Sequence, residues 1–209
     1  MIDVHAWKMP NGHKVTMMLE EAGLSYTLHP VNIGKGEQFR SDFLAIAPNN
    51  PIPAIVDNQP IDGGQPVSIF ESGPILLYLA EKSGTMLPDA ARERLEVVQW
   101  LSWQMAGLGS VMGQNLHFDR FAPEPTPYAI DRYLNETTCL FGILERRLRD
   151  QPFVAGCGYP VADTACYPWI TLHEAAGQSL GEFAALQRWF GQVRSRPATA
   201  RAYATAETM

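Results

Sequence analysis

The sequence predicts an α/β domain followed by an all-helical domain, with boundaries at residues 1–84 and 90–209. Strand and helix patterns alternate through the first part of the chain, as in layered α/β folds. Gly84 and Pro88 then interrupt the pattern, and every later apolar stripe has the period of a helix. The 209 residues are enough for each domain to bury its own core.

Local patterns predict each element of the first domain. Alternating apolar residues predict strands at residues 2–7, 26–31, 54–56 and 67–70. A helix opens at Asn11 and ends at Gly23, because glycine readily adopts the left-handed conformation that ends helices. A short helix is expected at 40–46. Another begins at residues 71–74, since proline is tolerated in a first helical turn.

Three apolar stripes of helical period define the second domain. They comprise Leu95, Val98, Leu101 and Met105; Ile130, Leu134, Phe141, Leu144 and Leu148; and Leu186, Trp189, Phe190 and Val193. The stretch 118–127 contains three prolines and is expected to separate two long helices.

Composition narrows the class of protein. Hydrophobic residues make up 46% and charged residues 18%, and no apolar run reaches the length of about 18 residues that a membrane span needs. The net charge of −6 argues against nucleic acid as a partner. Three cysteines at scattered spacings form no zinc-type pair, and no signal sequence opens the chain, so we expect a cytoplasmic protein without a metal.

Pro53 stands directly before a predicted buried strand, where proline is poorly placed for ladder pairing. Because only X–Pro bonds adopt the cis form at modest cost, Ile52–Pro53 is a candidate cis bond that turns the Ile52 backbone toward open space. An extended peptide could pair with that backbone as an added strand. An ordinary proline-rich entry to a strand explains the segment equally well.

Glu71 and Ser72 lie where a strand gives way to a helix. The N–H groups and the dipole at a helix N-terminus favour a bound carboxylate, and the Ser72 hydroxyl would add a donor. The commoner alternative is that Ser72 only caps its own helix.

Together these features resemble the glutathione transferase superfamily, which has a thioredoxin-like N-terminal domain with a cis-proline loop and a Glu-Ser pair, followed by a helical domain. The resemblance covers essentially the whole chain. More narrowly, several segments are similar to the bacterial nu class, which is related to the fungal nitrogen-regulator prion domain. These segments are residues 10–14, 36–39, 48–50, 70–73 and 113–118.

The resemblance implies a glutathione site. In it, Ile52 pairs through its backbone with the cysteinyl part of the tripeptide, and Glu71 and Ser72 hold the γ-glutamyl end. Arg132 matches a basic residue that helps to hold a glutathione carboxylate from the helical domain. The implied glutathione contacts are Gln38, Asn50, Ile52, Glu71, Ser72 and Arg132.

The resemblance also implies that a Thr and an Asn before the first helix face the glutathione sulfur. Asn11 matches the Asn, whereas Met9 stands where the Thr is expected. A thioether cannot donate a hydrogen bond, and a thiol with a pKa of about 8.5 needs donors to ionise near neutrality. We therefore assign the catalytic stabilisation of the sulfur to Asn11 and to the backbone N–H groups that open the helix. Asn11 is alternatively a helix cap or turn residue.

Residues 161–163 resemble the buried capping box of the family, with Pro160 in place of the usual Ser or Thr. Asp163 is predicted to be a structural cap that accepts hydrogen bonds from the start of its helix. The lost hydroxyl bond is expected to cost about 1 kcal/mol. Cys157 and Cys166 are interpreted as packing residues.

The nu-class resemblance implies a homodimer that reduces small or mixed glutathione disulfides. Two glutathiones supply both sulfurs, so the protein needs no cysteine of its own, and the loop at 9–11 contains none. The close alternative is a glutathione S-transferase that conjugates electrophiles or reduces peroxides. A non-catalytic glutathione-binding or partner-binding module is the rival from another class.

Overall fold

The computed structural model describes residues 1–156 and 158–207. Its contacts divide the chain into two compact units. The first unit comprises Met1–Leu87 and a stretch that begins at Ser195, and the second comprises Pro88–Arg194. The division falls near the predicted break, but the last helix groups with the first unit and not with the predicted helical domain.

The first unit contains a four-stranded sheet in the order β2–β1–β3–β4. β1 pairs in parallel with β2 and antiparallel with β3, and β3 pairs antiparallel with β4. This mixed sheet confirms the predicted thioredoxin-like domain. The strands are β1 (Ile2–Ala6), β2 (Tyr26–Pro30), β3 (Ala54–Asp57) and β4 (Val67–Phe70).

The described residues form nine α-helices, close to the positions that periodicity predicts. They are α1 (Pro10–Ala22), α2 (Ser41–Leu44), α3 (Ser72–Ser83), α4 (Ala91–Trp103), α5 (Ser110–Leu116), α6 (Pro127–Asp150), α7 (Val161–Ile170), α8 (Ala184–Arg194) and α9 (Pro197–Ala206). Short 3₁₀ turns occur at Ile33–Lys35, Glu37–Phe39 and Leu180–Glu182, and π-helical turns at Gln104–Gly109 and His117–Phe121. None of the helices in the described part of the chain is long and apolar enough to cross a membrane.

Alternation in β1 fixes which face of the sheet is buried. Ile2, Val4 and Ala6 are buried, since successive side chains of a strand point to opposite faces. α1 packs against both α3 and α9. α1 ends where Gly23 adopts a φ of 64°, a left-handed conformation that glycine tolerates without steric cost.

The last helix joins the first unit through ion pairs and small side chains. Arg196 donates two hydrogen bonds to Glu21, at 2.6 and 2.9 Å, and Arg201 donates one to Glu20 at 2.7 Å. The buried residues of α9 are small, which lets its backbone approach α1 closely; they are Ala198, Thr199, Ala202 and Ala206. Helical periodicity alone does not reveal which neighbour such a face selects.

The second unit is helical, as predicted, but its first stripe is displaced. Leu95 is 57% exposed, whereas Val97, Leu101 and Leu108 are buried. The sequence pattern missed this face because the buried position between Leu101 and Leu108 is the polar Gln104. The other two stripes have the expected buried centres, with Phe141, Leu144, Leu148, Leu186, Trp189 and Val193 fully buried.

The predicted separator at 118–127 is partly helical. A π-helical turn continues to Phe121, and α6 then begins at Pro127. Proline fits this first position because its missing N–H would have no partner there.

Candidate active site

A small pocket in the first unit joins the start of α1, the loop before β3 and the start of α3. Predicted site residues from all three segments meet in it, although they are distant in the sequence. The pocket is lined by Asn11, Ala47, Asn49, Pro51, Ile52, Pro53, Phe70, Glu71 and Ser72.

The loop before β3 presents a strand-like edge. The Ile52–Pro53 peptide bond is cis, the geometry expected from the sequence. Ile52 packs against a buried cluster that includes Phe43 and Ala54. Among the backbone hydrogen bonds of the described chain, none involves Ile52, and the β3 ladder begins at Ala54. The Ile52 main chain is therefore available to an extended peptide ligand.

Glu71 precedes α3 in a backbone conformation that is rare outside glycine. Its φ is 69° and its ψ is 124°, and its side chain is exposed. Sparsely populated conformations cost about 1–3 kcal/mol and cluster at functional sites. The conformation is held at the junction of β4 and α3, where Glu71 forms part of the pocket lining.

The start of α3 offers backbone donors to an anion. The first intrahelical hydrogen bond runs from the Ile75 N–H to the Glu71 carbonyl oxygen, at 3.1 Å. The N–H groups of Ser72 and Gly73 therefore face the N-terminal end of the helix, where the helix dipole also favours negative charge. A carboxylate is the ligand group that this end of the pocket fits.

Lys14 is a buried neighbour of the pocket residue Ser72 that sequence reasoning missed. Its side chain is 1% exposed, and its Nζ donates a hydrogen bond to the Ser72 Oγ at 3.3 Å. Lysine is almost never buried without a partner. The available signal was its helical spacing from Met17 and Met18, which places Lys14 on the buried face of α1.

Met9 directly precedes α1, and its side chain does not cap the helix. Its backbone is extended, its side chain makes no capping hydrogen bond, and it is 41% exposed. It is not part of the pocket lining, whereas Asn11 is. A Cβ atom at Gly12 would collide with the Trp7 carbonyl oxygen, so glycine is required for this close approach of the loop to α1. Asn11 is thus the residue at the start of α1 that lines the pocket.

Gln38 and Asn50 lie outside the pocket lining. Gln38 lies on the 3₁₀ turn Glu37–Phe39, and its Oε1 is buried with no hydrogen-bond partner in the described chain. Asn50 has a φ of 60°, and its N–H donates to the Ala47 carbonyl oxygen at 2.9 Å. This turn brings Asn49 into the pocket lining, a residue that sequence reasoning did not select.

Arg132 lies on α6 in the second unit, with an exposed side chain. Its role in binding a glutathione carboxylate stays a prediction.

Asp163 does not cap its own helix as predicted. The residue before α7 is Pro160, which has no N–H for the Asp163 carboxylate to accept. Asp163 Oδ1 instead accepts from the Val154 N–H at 2.8 Å and from Trp189 Nε1 at 2.6 Å. Burial raises the pKa of Asp163 to about 7, against the lowering effect of these two hydrogen bonds.

Two further side-chain predictions concern thiols and metals. Cys166 is fully buried in α7, in agreement with a packing role, whereas Cys157 lies outside the described residues. Within residues 1–156 and 158–207, no three His, Cys, Asp or Glu side chains are grouped so that they could hold a metal ion.

Comparison with known proteins identifies the family. Models of the glutathione S-transferase N-terminal and C-terminal domains match residues 8–82 and 121–197. The disulfide-bond oxidoreductase YfcG of Escherichia coli K12 is 51% identical over 207 residues, which cover 99% of this chain and 96% of that relative. The chain belongs to the glutathione transferase family. The resemblance seen in the sequence is thereby confirmed.

Solved structures of other family members resemble this glutathione transferase throughout. A family member from Pseudomonas fluorescens Pf-5, with two glutathiones bound, has a TM-score of 0.91 and 37% identity over 97% of this chain and 92% of its own. A glutathione transferase from Pseudomonas putida, with one glutathione disulfide bound per subunit, has a TM-score of 0.90 and 36% identity over 97% of this chain and 90% of its own.

Proposed function

We propose that this glutathione transferase is a glutathione-dependent disulfide-bond oxidoreductase that acts on small or mixed glutathione disulfides. The observation that carries the proposal is the pocket in which Asn11, Ile52, Glu71 and Ser72 meet. The name of the E. coli relative and the disulfide held by the P. putida protein support this reaction over others of the family.

The pocket suggests a binding mode for glutathione. The cysteinyl backbone pairs with Ile52, and the γ-glutamyl carboxylate accepts from the Ser72 hydroxyl and the N–H groups that open α3. The Glu71 carboxylate accepts from the γ-glutamyl ammonium. Further proposed contacts are Gln38, Asn50 and Arg132. Asn11 and the N-terminus of α1 stabilise the sulfur as a thiolate.

The thiolate then attacks one sulfur of the substrate disulfide. The S–S bond breaks, the leaving thiolate takes up a proton, and a mixed disulfide with glutathione remains. A second glutathione thiolate attacks that mixed disulfide, which releases the second product thiol and forms glutathione disulfide. None of the residues that line the pocket is a cysteine, so glutathione supplies both reducing sulfurs.

Glutathione S-transferase chemistry is the second candidate, because the same thiolate adds to electrophiles or reduces peroxides, and the matching family models bear that name. A non-catalytic glutathione-binding module would bind glutathione without turnover of either class of substrate. Parallel assays with a mixed disulfide of glutathione, an aromatic electrophile and an organic hydroperoxide separate the three.

We further propose a homodimer in the cytoplasm. β4 is an edge strand with exposed Val67 and Phe70, an apolar surface of the kind that subunit interfaces cover. In the described part of the chain, neither Cys139 nor Cys166 forms a disulfide, as expected in a reducing compartment. Size-exclusion chromatography with light scattering tests the dimer, and a monomer would contradict it.

Replacing Glu71 by Gln tests the proposed site directly. The change removes the charge and preserves the shape, so the Kd for glutathione should rise about tenfold or more, which is the effect of one charge-assisted hydrogen bond. Turnover of the mixed disulfide should fall in parallel. Glu81→Gln, at the other end of the same helix, is the control. Calorimetry measures the affinity of both variants for glutathione. If the two affinities are equal, glutathione does not bind in this pocket.

A further inference from the structure

We infer that His5 is a positioning residue that makes the affinity for glutathione depend on pH. Its neutral imidazole supports α2 and the loop that carries Ile52, and a proton on that ring loosens both. This inference rests on the proposed binding of glutathione at Ile52. It gives a role to a histidine that lies outside the pocket lining.

His5 lies on the face of the sheet that α2 contacts. Successive side chains of a strand point to opposite faces, so His5 points away from the buried side of Val4 and Ala6. Its ring stacks on His29 of β2, with ring centroids 4.9 Å apart and ring planes 18° apart. The Phe43 ring of α2 lies 6.3 Å from the same imidazole, tilted by 55°. The His5 ring is therefore in contact with aromatic rings of both β2 and α2.

Phe43 connects this ring contact to the glutathione pocket. It is buried in a cluster with Ala47 and Ala54, and Ile52 packs against that cluster. Ala47 and Ile52 both line the pocket. Ala54 is also the residue of β3 that lies opposite His5 in the sheet. Because packed interiors transmit strain, a change in how α2 rests on His5 reaches Ile52 through these side chains.

A polar cavity gives solvent protons access to the His5 ring. Its volume is about 270 Å³, and His5 itself is half-buried. The titratable or charged residues that line it are His5, His29, Glu37, Arg40 and Asp42. The ring can therefore take up a proton while the domain stays folded.

The surroundings of His5 disfavour that proton. Burial and the stacked His29 lower the pKa of His5 below its ordinary value of 6.5, and the Asp3 and Asp42 carboxylates oppose this only in part. Both carboxylates are engaged by other groups. Asp3 Oδ1 lies 2.9 Å from His29 Nε2, and Asp42 accepts from the Arg40 guanidinium at 3.0 Å. The contacts of the folded protein therefore favour the neutral form of His5.

The affinity for glutathione should fall in acid as a result. When the pH falls through the pKa of His5, a charge enters a contact that favours the neutral ring, and the support for Phe43 weakens. α2 and Ile52 are then less firmly placed, and only the fraction of molecules with neutral His5 keeps full affinity. Affinity is therefore highest above pH 6.5 and decreases below it.

Calorimetry with S-methylglutathione at pH 7 and pH 5 tests this dependence. The ligand has no thiol to ionise, and its carboxylates and ammonium keep their charges in this range. The Kd of the unaltered protein should rise about threefold or more from pH 7 to pH 5. His5→Phe keeps a ring against His29 and Phe43 but cannot take up a proton. Its Kd should match the unaltered protein at pH 7 and change by less than about twofold.

Two further histidine variants make the test specific. His173→Phe is the matched control, since this histidine of the second unit also contacts a phenylalanine, with its ring centroid 5.9 Å from that of Phe190. It should keep the full pH dependence. His29→Phe preserves a ring beside His5 but removes a group that lowers the pKa of His5, so the loss of affinity should begin at higher pH. NMR titration of the His5 Cε1 proton measures that pKa directly.

Two results would overturn the inference. One is a Kd of the unaltered protein that does not change between pH 7 and pH 5, and the other is a pH dependence that persists in His5→Phe. If His5→Phe does not fold, His5→Gln, which is neutral at both pH values, gives the same comparison. If the unaltered protein binds no S-methylglutathione at either pH, the proposed function falls. The Ile52 methyl resonances then still show, by shifting or not shifting with the midpoint of His5, whether the proton on His5 affects that loop.

Discussion

At the scale of single residues, Met9 places a thioether where a hydroxyl would be better suited to sulfur chemistry. Met9→Thr should raise the rate of disulfide turnover at pH 7 several-fold, because a hydroxyl can donate to the glutathione thiolate and lower the pKa of the thiol. The pH profile of the rate should shift to lower pH by the same number of units as the pKa of the thiol falls. Stopped-flow kinetics over pH 5 to 9 measures both.

Met9→Val is the matched control, since valine has the shape of threonine without its hydroxyl. Both variants shorten the side chain that directly precedes α1. If valine raises the rate as much as threonine does, the gain comes from relieved crowding and the hydroxyl has no part in it. If neither changes the rate, the loop does not approach the sulfur.

Asp163 offers a second residue-scale prediction, on stability. Its pKa of about 7 exceeds the value of about 3.9 expected in the unfolded chain, so the folded state holds the proton between these values. The stability contributed by the protonated form is complete below pH 4 and is lost as pH rises through 7. Asp163→Asn keeps an acceptor for Val154 and Trp189 but does not titrate.

We therefore expect Asp163→Asn to match the free energy of unfolding of the unaltered protein near pH 4 and to exceed it by about 1–3 kcal/mol at pH 8. Asp163→Leu, which leaves both donors without an acceptor, should lose about 2–4 kcal/mol at either pH. Urea unfolding at the two pH values measures these differences. A pH-independent difference between Asn and Asp would show that Asp163 stays charged.

Local sequence patterns selected the parts of the site that depend on neighbours along the chain. Pro53 before a strand and the Glu71–Ser72 pair before a helix are such patterns, and the structure places both in one pocket. Lys14 and Asn49 were missed because their positions depend on other elements. The first is buried by the packing of α1 on α3, and the second enters the pocket through the left-handed turn at Asn50.

At the scale of elements, α3 is fixed to the sheet at its far end by a buried carboxylate. Asp57, the last residue of β3, accepts from the Tyr78 hydroxyl at 2.7 Å and lies 2.8 Å from the Lys82 ammonium. Burial alone would raise the pKa of Asp57, but hydrogen bonds from Lys82, Tyr78 and the Gln59 N–H outweigh it and lower the value. This anchor holds the helix whose other end carries Ser72.

We expect this anchor to weaken in acid. Since the folded pKa of Asp57 lies below the unfolded value of about 3.9, its stabilisation is present above that value and is lost as pH falls through the folded pKa. Lys82→Met should cost about 2 kcal/mol at pH 7, and less toward pH 3. Urea unfolding across this range measures the trend. If the difference in unfolding free energy between Lys82→Met and the unaltered protein does not change with pH, Lys82 contributes by packing and not by charge.

Elements with strong local signals were predicted closely, whereas a mixed helix face was not. The predicted strand 67–70 coincides with β4, because alternating β-branched and aromatic residues leave little choice. In α4, the stripe from Leu95 shares only Leu101 with the buried face. The predicted face and the observed face have similar apolar content. In the folded protein, the face that continues to the buried Gln104 is the one that packs inward.

At the scale of the whole molecule, the chain returns to its first unit after the second is complete. α9 packs on α1, and His13 of α1 stacks on Tyr203 of α9 with ring centroids 4.2 Å apart. Prediction from the sequence placed α9 with the helices that precede it, because nothing in a helical stripe states its partner. The returning helix supports the element that carries both Asn11 and Lys14.

This arrangement predicts that the end of the chain contributes to ligand affinity without touching the pocket. A chain that ends at Arg194 should lose the cover of α1 and the ion pairs to Glu20 and Glu21. We expect its first unit to unfold at lower urea concentration and its affinity for glutathione to fall, since the start of α1 is then less firmly held.

Point variants distinguish the effect of the contacts between α9 and α1 from the general effect of shortening the chain. Arg196→Met removes both hydrogen bonds to Glu21 and should lower the free energy of unfolding by about 1 kcal/mol. The neighbouring exposed Arg194→Met should change it by less than about 0.5 kcal/mol. If Arg196→Met also weakens glutathione binding while Arg194→Met does not, α9 acts on the site through α1. Unchanged stability in the shortened chain would instead mean that α1 holds its place without the returning helix.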